Sequence, residues 1–148
     1  MKKYALFFLK AVCVLTALVF FVGLLRFPPS EGRAVGLSLL QIYADPFILA
    51  LYLGSVPFFW GLYNAFAVLT RIQNNQTFST ETTTRLKNIQ SASVYSILCI
   101  VAALVYIRFF AHGDDPAGPT TLGILASLLA ASTACGARVF RSVIEEKL

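Results

Sequence analysis

The sequence has little charge and few of the residues that catalytic and metal sites use. Of its 148 residues 13% are charged, whereas soluble domains carry about 25%. It has a single histidine, His112, and three cysteines without a C-x-x-C pair. These absences exclude a bis-histidine haem held by this chain alone, a C-x-x-C exchange centre and a His-assisted nucleophile. With no Walker loop and no H-E-x-x-H motif either, we expect no enzymatic activity, no cofactor and no metal.

What the chain has instead is long apolar runs. Hydrophobic residues make up 57% of it and the mean hydropathy is +0.74. A helix needs about 20 residues to cross the ~30 Å hydrocarbon core of a bilayer. Four stretches reach that length, at about 4–26, 46–71, 89–108 and 120–138. The sequence therefore predicts an integral membrane protein in contact with lipid, with residues 1–148 forming one four-span domain.

The first apolar run also resembles a secretory signal peptide, because Lys2 and Lys3 precede it. However, the run is longer than the apolar region of a usual signal peptide, Lys10 interrupts it, and no A-x-A cleavage site follows. We expect the run to be retained as the first span.

Lysine and arginine are distributed unequally between the two sets of loops, which predicts the orientation. Eight lie near the N-terminus, in the middle loop 72–88 with its flanking Arg71, and at the C-terminus, against three in the other loops. Both termini and loop 72–88 should then face the cytoplasm. Because the net charge of +5 lies at span ends, we expect it to meet lipid head groups and not nucleic acid.

Acidic residues are missing from the spans, which excludes proton-coupled export of the small four-span multidrug type. Asp45 lies at a boundary, where it can cap the helix that Pro46 begins. Asp114 and Asp115 lie near His112 in a loop rich in glycine and proline. This composition indicates a surface turn rather than a metal site.

Small and polar residues recur at helical spacing in the spans, as expected of helix contacts in lipid. The positions predicted to pack are Gly54, Pro57 and Gly61 in the second span, Ser96 and Cys99 in the third, and Gly123 and Ser127 in the fourth. Short connections between such helices predict an all-α, antiparallel four-helix bundle with both termini inside.

Three residues in the spans are candidates for binding a ligand. Lys10 lies at or inside the inner hydrocarbon edge, where an ammonium either marks an ion path or an anionic ligand, or snorkels to the head groups. Trp60 lies too deep for the interfacial aromatic belt, so its indole N–H needs an internal partner. With Asn64 one turn later, it could line a polar pocket for a lipid-like or quinone-like ligand. The alternative is a helix, kinked at Pro57, whose polar groups satisfy one another.

The polar stretch before the third span predicts a capped helix start. Ser79 can act as N-cap, with Phe78 packing back from the preceding position. Phe78, Thr82, Leu86 and Ile89 share one predicted face. Glu81 and Arg85 form an i,i+4 pair in the favourable order.

This stretch also carries a resemblance. Its motif residues are Arg71, Ile72, Phe78, Ser79, Glu81, Leu86, Lys87 and Ile89. With two spans on each side, the chain resembles the bacterial four-span membrane proteins called domain of unknown function 2975. Gln76-Thr77 stands where members commonly have Gly or Glu-Pro before the Phe. The resemblance implies a bacterial inner-membrane protein, often encoded beside a small helix-turn-helix regulator. It implies no established reaction and no catalytic residue.

Two hypotheses about function follow. The first is a non-enzymatic regulatory or accessory module that docks a protein partner through its cytoplasmic loop. The second is a transporter, ion conductor or lipid- or quinone-binding protein that uses Lys10, Trp60 and Asn64, assembled as a homo-oligomer. An intramembrane enzyme whose site needs several copies is a third possibility.

Overall fold

The computed structural model describes residues 2–30, 38–44, 46–110 and 117–148, and within these ranges all regular secondary structure is α-helical. The helices are α1 (Lys2–Ser30), α2 (Leu39–Tyr43), α3 (Pro46–Gln73), α4 (Thr80–Phe110) and α5 (Ala117–Glu145). The expectations for Asp45 and for the turn with His112, Asp114 and Asp115 concern residues outside these ranges.

Four of the helices are long and apolar enough to cross a membrane. The spanning segments are Lys3–Pro28, Ile48–Gln73, Thr80–Phe109 and Thr120–Glu145. This confirms the predicted all-α, four-span architecture. The third helix begins well before the apolar run at 89–108, because the polar residues from Thr80 onward already form its first turns.

The long helices pack in chain order. The most extensive contacts join α3 to α4 and α4 to α5, while α1 packs mainly on α3 and more sparsely. The short helix α2 contacts both α1 and α3, and the described parts of α1 and α5 share no comparable contact. The tightly packed part of the protein is therefore the trio α3, α4 and α5, with α1 added at one side.

Predicted small residues bring the helix backbones together. A Cβ atom placed on Gly54 would lie 3.1 Å from the Cβ of Cys99, and one on Gly61 would lie 3.3 Å from the Cβ of Ala92. These contacts pair early positions of α3 with late positions of α4, so the two helices are antiparallel. At Gly123 of α5 an added Cβ would lie 2.8 Å from a methyl carbon of Leu104. Ser96 and Ser127 are half-buried.

The seam between α1 and α3 is built differently, mainly from aromatic rings. The centroids of the Phe20 and Phe58 rings are 4.3 Å apart. Further out, the hydroxyl of Tyr52 donates a hydrogen bond of 2.9 Å to the carbonyl oxygen of Leu24. That carbonyl lacks its usual helical donor because Pro28, four residues on, has no N–H. Tyr52 therefore satisfies the one backbone acceptor that Pro28 frees.

Replacing Gly61 by leucine should push α3 away from α4. The added side chain has no room beside Ala92, and overpacking of this kind costs about 1–3 kcal/mol. We expect Gly61→Leu to lower the midpoint of thermal unfolding in detergent. Gly136→Leu is the matched control, because nothing lies within 4 Å of a Cβ placed there. Equal midpoints for the two variants would contradict the packing described for α3 and α4.

Candidate functional site

The last residues of α3 form a tight C-terminal cap. The N–H of Gln76 donates to the carbonyl of Arg71 at 2.9 Å, and the N–H of Asn75 to that of Ile72 at 3.2 Å. Asn75 has a φ of 58°, in the left-handed region that asparagine tolerates better than most residues. This pair of bonds is a Schellman motif. It reverses the chain at once and brings the start of α4 beside the end of α3.

Helix α4 then begins with Ser79 as its N-cap. The N–H of Thr82 donates to Ser79 Oγ at 3.3 Å, which satisfies one of the free N–H groups of the first turn. The hydroxyl of Thr82 donates to the carbonyl of Gln76 at 3.1 Å, and Thr82 is 0% exposed. The helix start is thereby tied to the preceding turn.

One carboxylate joins the two helices electrostatically. Glu81 forms an ion pair with Arg71 at the end of α3, and its other oxygen lies 3.5 Å from the guanidinium of Arg85. Arg71 also reaches the hydroxyl of Ser79, at 3.4 Å. The predicted i,i+4 pair of Glu81 and Arg85 is present. The additional partner, Arg71, is one that helical spacing could not reveal because it lies on the other helix.

Asn64 lies under this ion pair and is 0% exposed. Its side-chain nitrogen donates to the carbonyl of Trp60 at 2.8 Å. Its oxygen accepts from Arg85 at 3.3 Å and from Asn88 at 3.2 Å. Asn64 thus connects the ion pair to the interior of the α3–α4 interface. We call the whole network the polar cap. It comprises Asn64, Arg71, Gln76, Ser79, Glu81, Thr82, Arg85 and Asn88.

The polar cap lies on an apolar cluster that includes α5. Leu86 and Ile89 pack with Val68, Ala137 and Ile144, all of them buried. Ile144 belongs to the last turn of α5 and is 0% exposed. The end of α5 is therefore held against the start of α4.

Phe78 does not share that apolar face, contrary to the sequence prediction. It is 54% exposed, and its ring lies 5.4 Å from the ammonium of Lys147. The face predicted from helical spacing is correct for Thr82, Leu86 and Ile89, which are buried. Phe78 precedes the helix start at Thr80, so helical spacing does not apply to it.

The side chains of the three candidate ligand-binding residues do not form one site. Lys10 donates to Gln73 Oε1 at 2.5 Å and lies over the ring of Phe66 at 5.3 Å. Trp60 is 42% exposed on the outside of α3, and its indole N–H has no partner among the described residues. The prediction that this N–H finds an internal partner is wrong for the described residues, since the bond from Asn64 to Trp60 ends on the carbonyl and not on the indole.

The buried polar groups satisfy one another throughout the described ranges. No buried side-chain nitrogen or oxygen there lacks a hydrogen-bond partner. The same ranges contain no group of three His, Cys, Asp or Glu residues that could hold a metal ion. Around Asn64 the second interpretation of the sequence therefore fits best, in which the polar groups join helices.

Comparison with known proteins identifies the family. Residues 34–147 match the family described as "Protein of unknown function (DUF2975)". The chain belongs to this family. Membership confirms the resemblance that the stretch between α3 and α4 indicated.

A relative in Bacillus subtilis (strain 168) carries the description "Uncharacterized membrane protein YoaS" and is 29% identical to this chain over 98 residues. The alignment covers 66% of this chain and 61% of the relative, so the chain spans about three fifths of that protein's length. No solved structure matches. With four apolar helices and this relative, the DUF2975 chain is a multi-pass membrane protein.

Three contact residues, Gln73, Asn88 and Lys147, are not among the positions predicted from the sequence. Asn88 could have been found, because it lies one turn before Ala92 on the face of α4 that meets α3. Gln73 and Lys147 could not, since their partners lie on helices distant in sequence.

Replacing Asn64 by leucine should destabilise the protein. The change leaves the donors of Arg85 and Asn88 without their acceptor, and an unsatisfied buried group costs about 1–3 kcal/mol. We expect a lower unfolding midpoint in detergent. Asn74→Leu, at an exposed turn position, should leave the midpoint nearly unchanged. If the two variants unfold at the same midpoint, Asn64 does not hold the polar cap together.

Proposed function

We propose that this protein is a non-enzymatic accessory or regulatory module of a bacterial inner membrane. Its role would be to dock the acidic surface of a protein partner through one end of the bundle. That end, the basic end, consists of residues 2–10, 71–90 and 138–148. The contacts of Lys10 with Gln73 and of Lys147 with Phe78 place its three segments together.

The observation that carries the proposal is the charge of the basic end. It contains nine lysines and arginines against three glutamates. The remaining segments hold three arginines and four acidic residues, so the entire net positive charge belongs to this end. Such an excess favours a cytoplasmic location and attracts acidic surfaces.

The second support is that the polar cap holds this surface in one shape. Arg71 and Arg85 are already paired with Glu81 and serve to fix the turn. Thr84 and Lys87 point outward on α4 and are exposed, and Phe78 adds an exposed ring. A fixed surface with an aromatic ring and a free ammonium is a suitable docking site, because little ordering is needed on binding.

The identity of the partner rests on the resemblance stated above. A small helix-turn-helix regulator encoded nearby is the candidate, and it would need to present carboxylates to Lys87. Any nucleic acid would be bound by that regulator and not by the membrane protein.

A transporter or ligand conductor is less well supported. It required the side chains of Lys10, Trp60 and Asn64 to cooperate, but Lys10 bonds Gln73, Asn64 bonds Trp60 only at the backbone carbonyl, and the Trp60 side chain is partly exposed. A homo-oligomer that assembles a pathway or an enzymatic site from several copies stays a prediction.

The proposed orientation can be tested by labelling single cysteines. In a background without Cys13, Cys99 and Cys135, we would introduce Lys87→Cys or Ser38→Cys, both at exposed positions. A membrane-impermeant maleimide should label position 38 in intact spheroplasts and position 87 only after lysis. The reverse pattern would place the basic end outside and contradict a cytoplasmic partner.

Docking itself can be tested by photocrosslinking in cells that express the protein at native level. A benzoylphenylalanine at Thr84 should give one protein adduct, whose crosslinked peptide is acidic. Lys87→Glu in the same chain should reduce the adduct at least about fivefold, and Lys87→Arg should retain it, because roughly 1 kcal/mol of charge attraction corresponds to that factor. The same photoreactive residue at Ser38, on the other side, is the control. Lipid adducts alone from Thr84, or an adduct indifferent to Lys87→Glu, would contradict docking.

A further inference from the structure

Lys10 differs from the paired arginines of the basic end in how its charge is compensated, and from the exposed Lys87 in being half-buried. Arg71 and Arg85 are paired with Glu81, and Arg141 donates to Glu145 at 2.8 Å. Lys10 forms no ion pair within the described ranges, and its only hydrogen bond is to the neutral amide of Gln73. Charges at membrane depth are usually paired, whereas the ammonium of Lys10 has no counter-ion among the residues that the structure describes.

The contacts of Lys10 also fix its depth. Gln73 is the last residue of α3 and of the apolar segment that can span the membrane. The ammonium of Lys10 therefore lies level with the end of α3, and although Lys10 is seven residues inside the segment Lys3–Pro28, its long side chain can extend towards the lipid phosphates. This distinguishes between the two interpretations of Lys10 raised by the sequence. The contact with Gln73 at the end of α3 favours snorkelling to the head groups over an ion path through the bilayer centre.

The surroundings of Lys10 suit a lipid. Helix α1 covers one side of α3, and Lys10 is half-buried in the seam between them. The first two turns of α1 extend about 12 Å beyond Lys10. In those turns Tyr4, Phe7 and Phe8 are 82%, 75% and 68% exposed. Tyrosine is enriched at the membrane interface, so we expect Tyr4 at head-group level, with the exposed rings of Phe7 and Phe8 facing lipid.

We propose that Lys10 and Gln73 bind the phosphate of an anionic phospholipid at the seam of α1 and α3. The ammonium has three N–H donors, of which Gln73 accepts one, and the amide of Gln73 has two N–H donors of its own. Two donor groups from two helices thus meet at phosphate level. The bound lipid supplies the missing negative charge. This site is separate from the polar cap and does not depend on a protein partner.

The test is native mass spectrometry of the protein released from nanodiscs that contain equal amounts of phosphatidylglycerol and phosphatidylcholine. We expect bound phosphatidylglycerol to exceed phosphatidylcholine. Lys10→Gln should lower that preference about fivefold, the factor expected from losing one basic residue at an anionic membrane surface. Lys10→Arg should keep it. Lys87→Gln, which removes an exposed lysine on another helix, is the matched control and should keep it as well.

Two further measurements decide what kind of site this is. Gln73→Leu should also reduce the preference, and it substitutes for Lys10→Gln if that variant fails to fold. Excess inorganic phosphate should not displace the lipid, because the phosphate alone lacks the acyl chains that lie in the membrane. The proposal is overturned if Lys10→Gln and Gln73→Leu retain the preference, if Lys87→Gln loses as much, or if inorganic phosphate competes fully.

Discussion

The pairing of Glu81 with two arginines is the interaction on which the arrangement of the helices depends. Arg71 belongs to α3 and Arg85 to α4, so a single carboxylate fixes the end of one helix against the start of the next. Below it Asn64 accepts from Arg85 and Asn88. With the turn held this way, the register of α3 on α4 is set, and Gly54 and Gly61 come opposite Cys99 and Ala92. The pairing is partly exposed, and each ion pair alone would contribute little. The pairing contributes more because Arg85 is also hydrogen-bonded to the buried amide of Asn64.

The number and type of the spans could be predicted because both follow from the length of apolar runs and the thickness of a bilayer. The N-cap at Ser79 could be predicted for a similar reason, since capping depends only on residues close in sequence. Small residues at helical spacing also marked the face of α3 that meets α4. These features share one property: each is determined within about one helical length of chain.

The remaining features depend on which helices become neighbours, and spacing within one helix does not determine that. The bond of Lys10 to Gln73 joins α1 to the far end of α3. Trp60 shows a different limit. An internal partner was expected for its indole because burial was assumed, yet lipid is as apolar as a protein interior and exerts no force that turns an aromatic ring inward. In a membrane, depth and burial within the protein are separate quantities.

The sparse packing of α1 has a consequence for the local opening of the structure. The match to DUF2975 begins at residue 34, after α1, and the trio α3, α4 and α5 contains the buried cluster and the polar cap. Among the four long helices we therefore expect α1 to have the lowest free energy of opening, and its backbone amides should exchange hydrogen before those of α4. A ligand bound across the seam of α1 and α3 stabilises only the state in which α1 is packed on α3. If an anionic lipid binds at that seam as proposed, the lipid composition of the membrane would alter the position of α1 before that of the other three long helices.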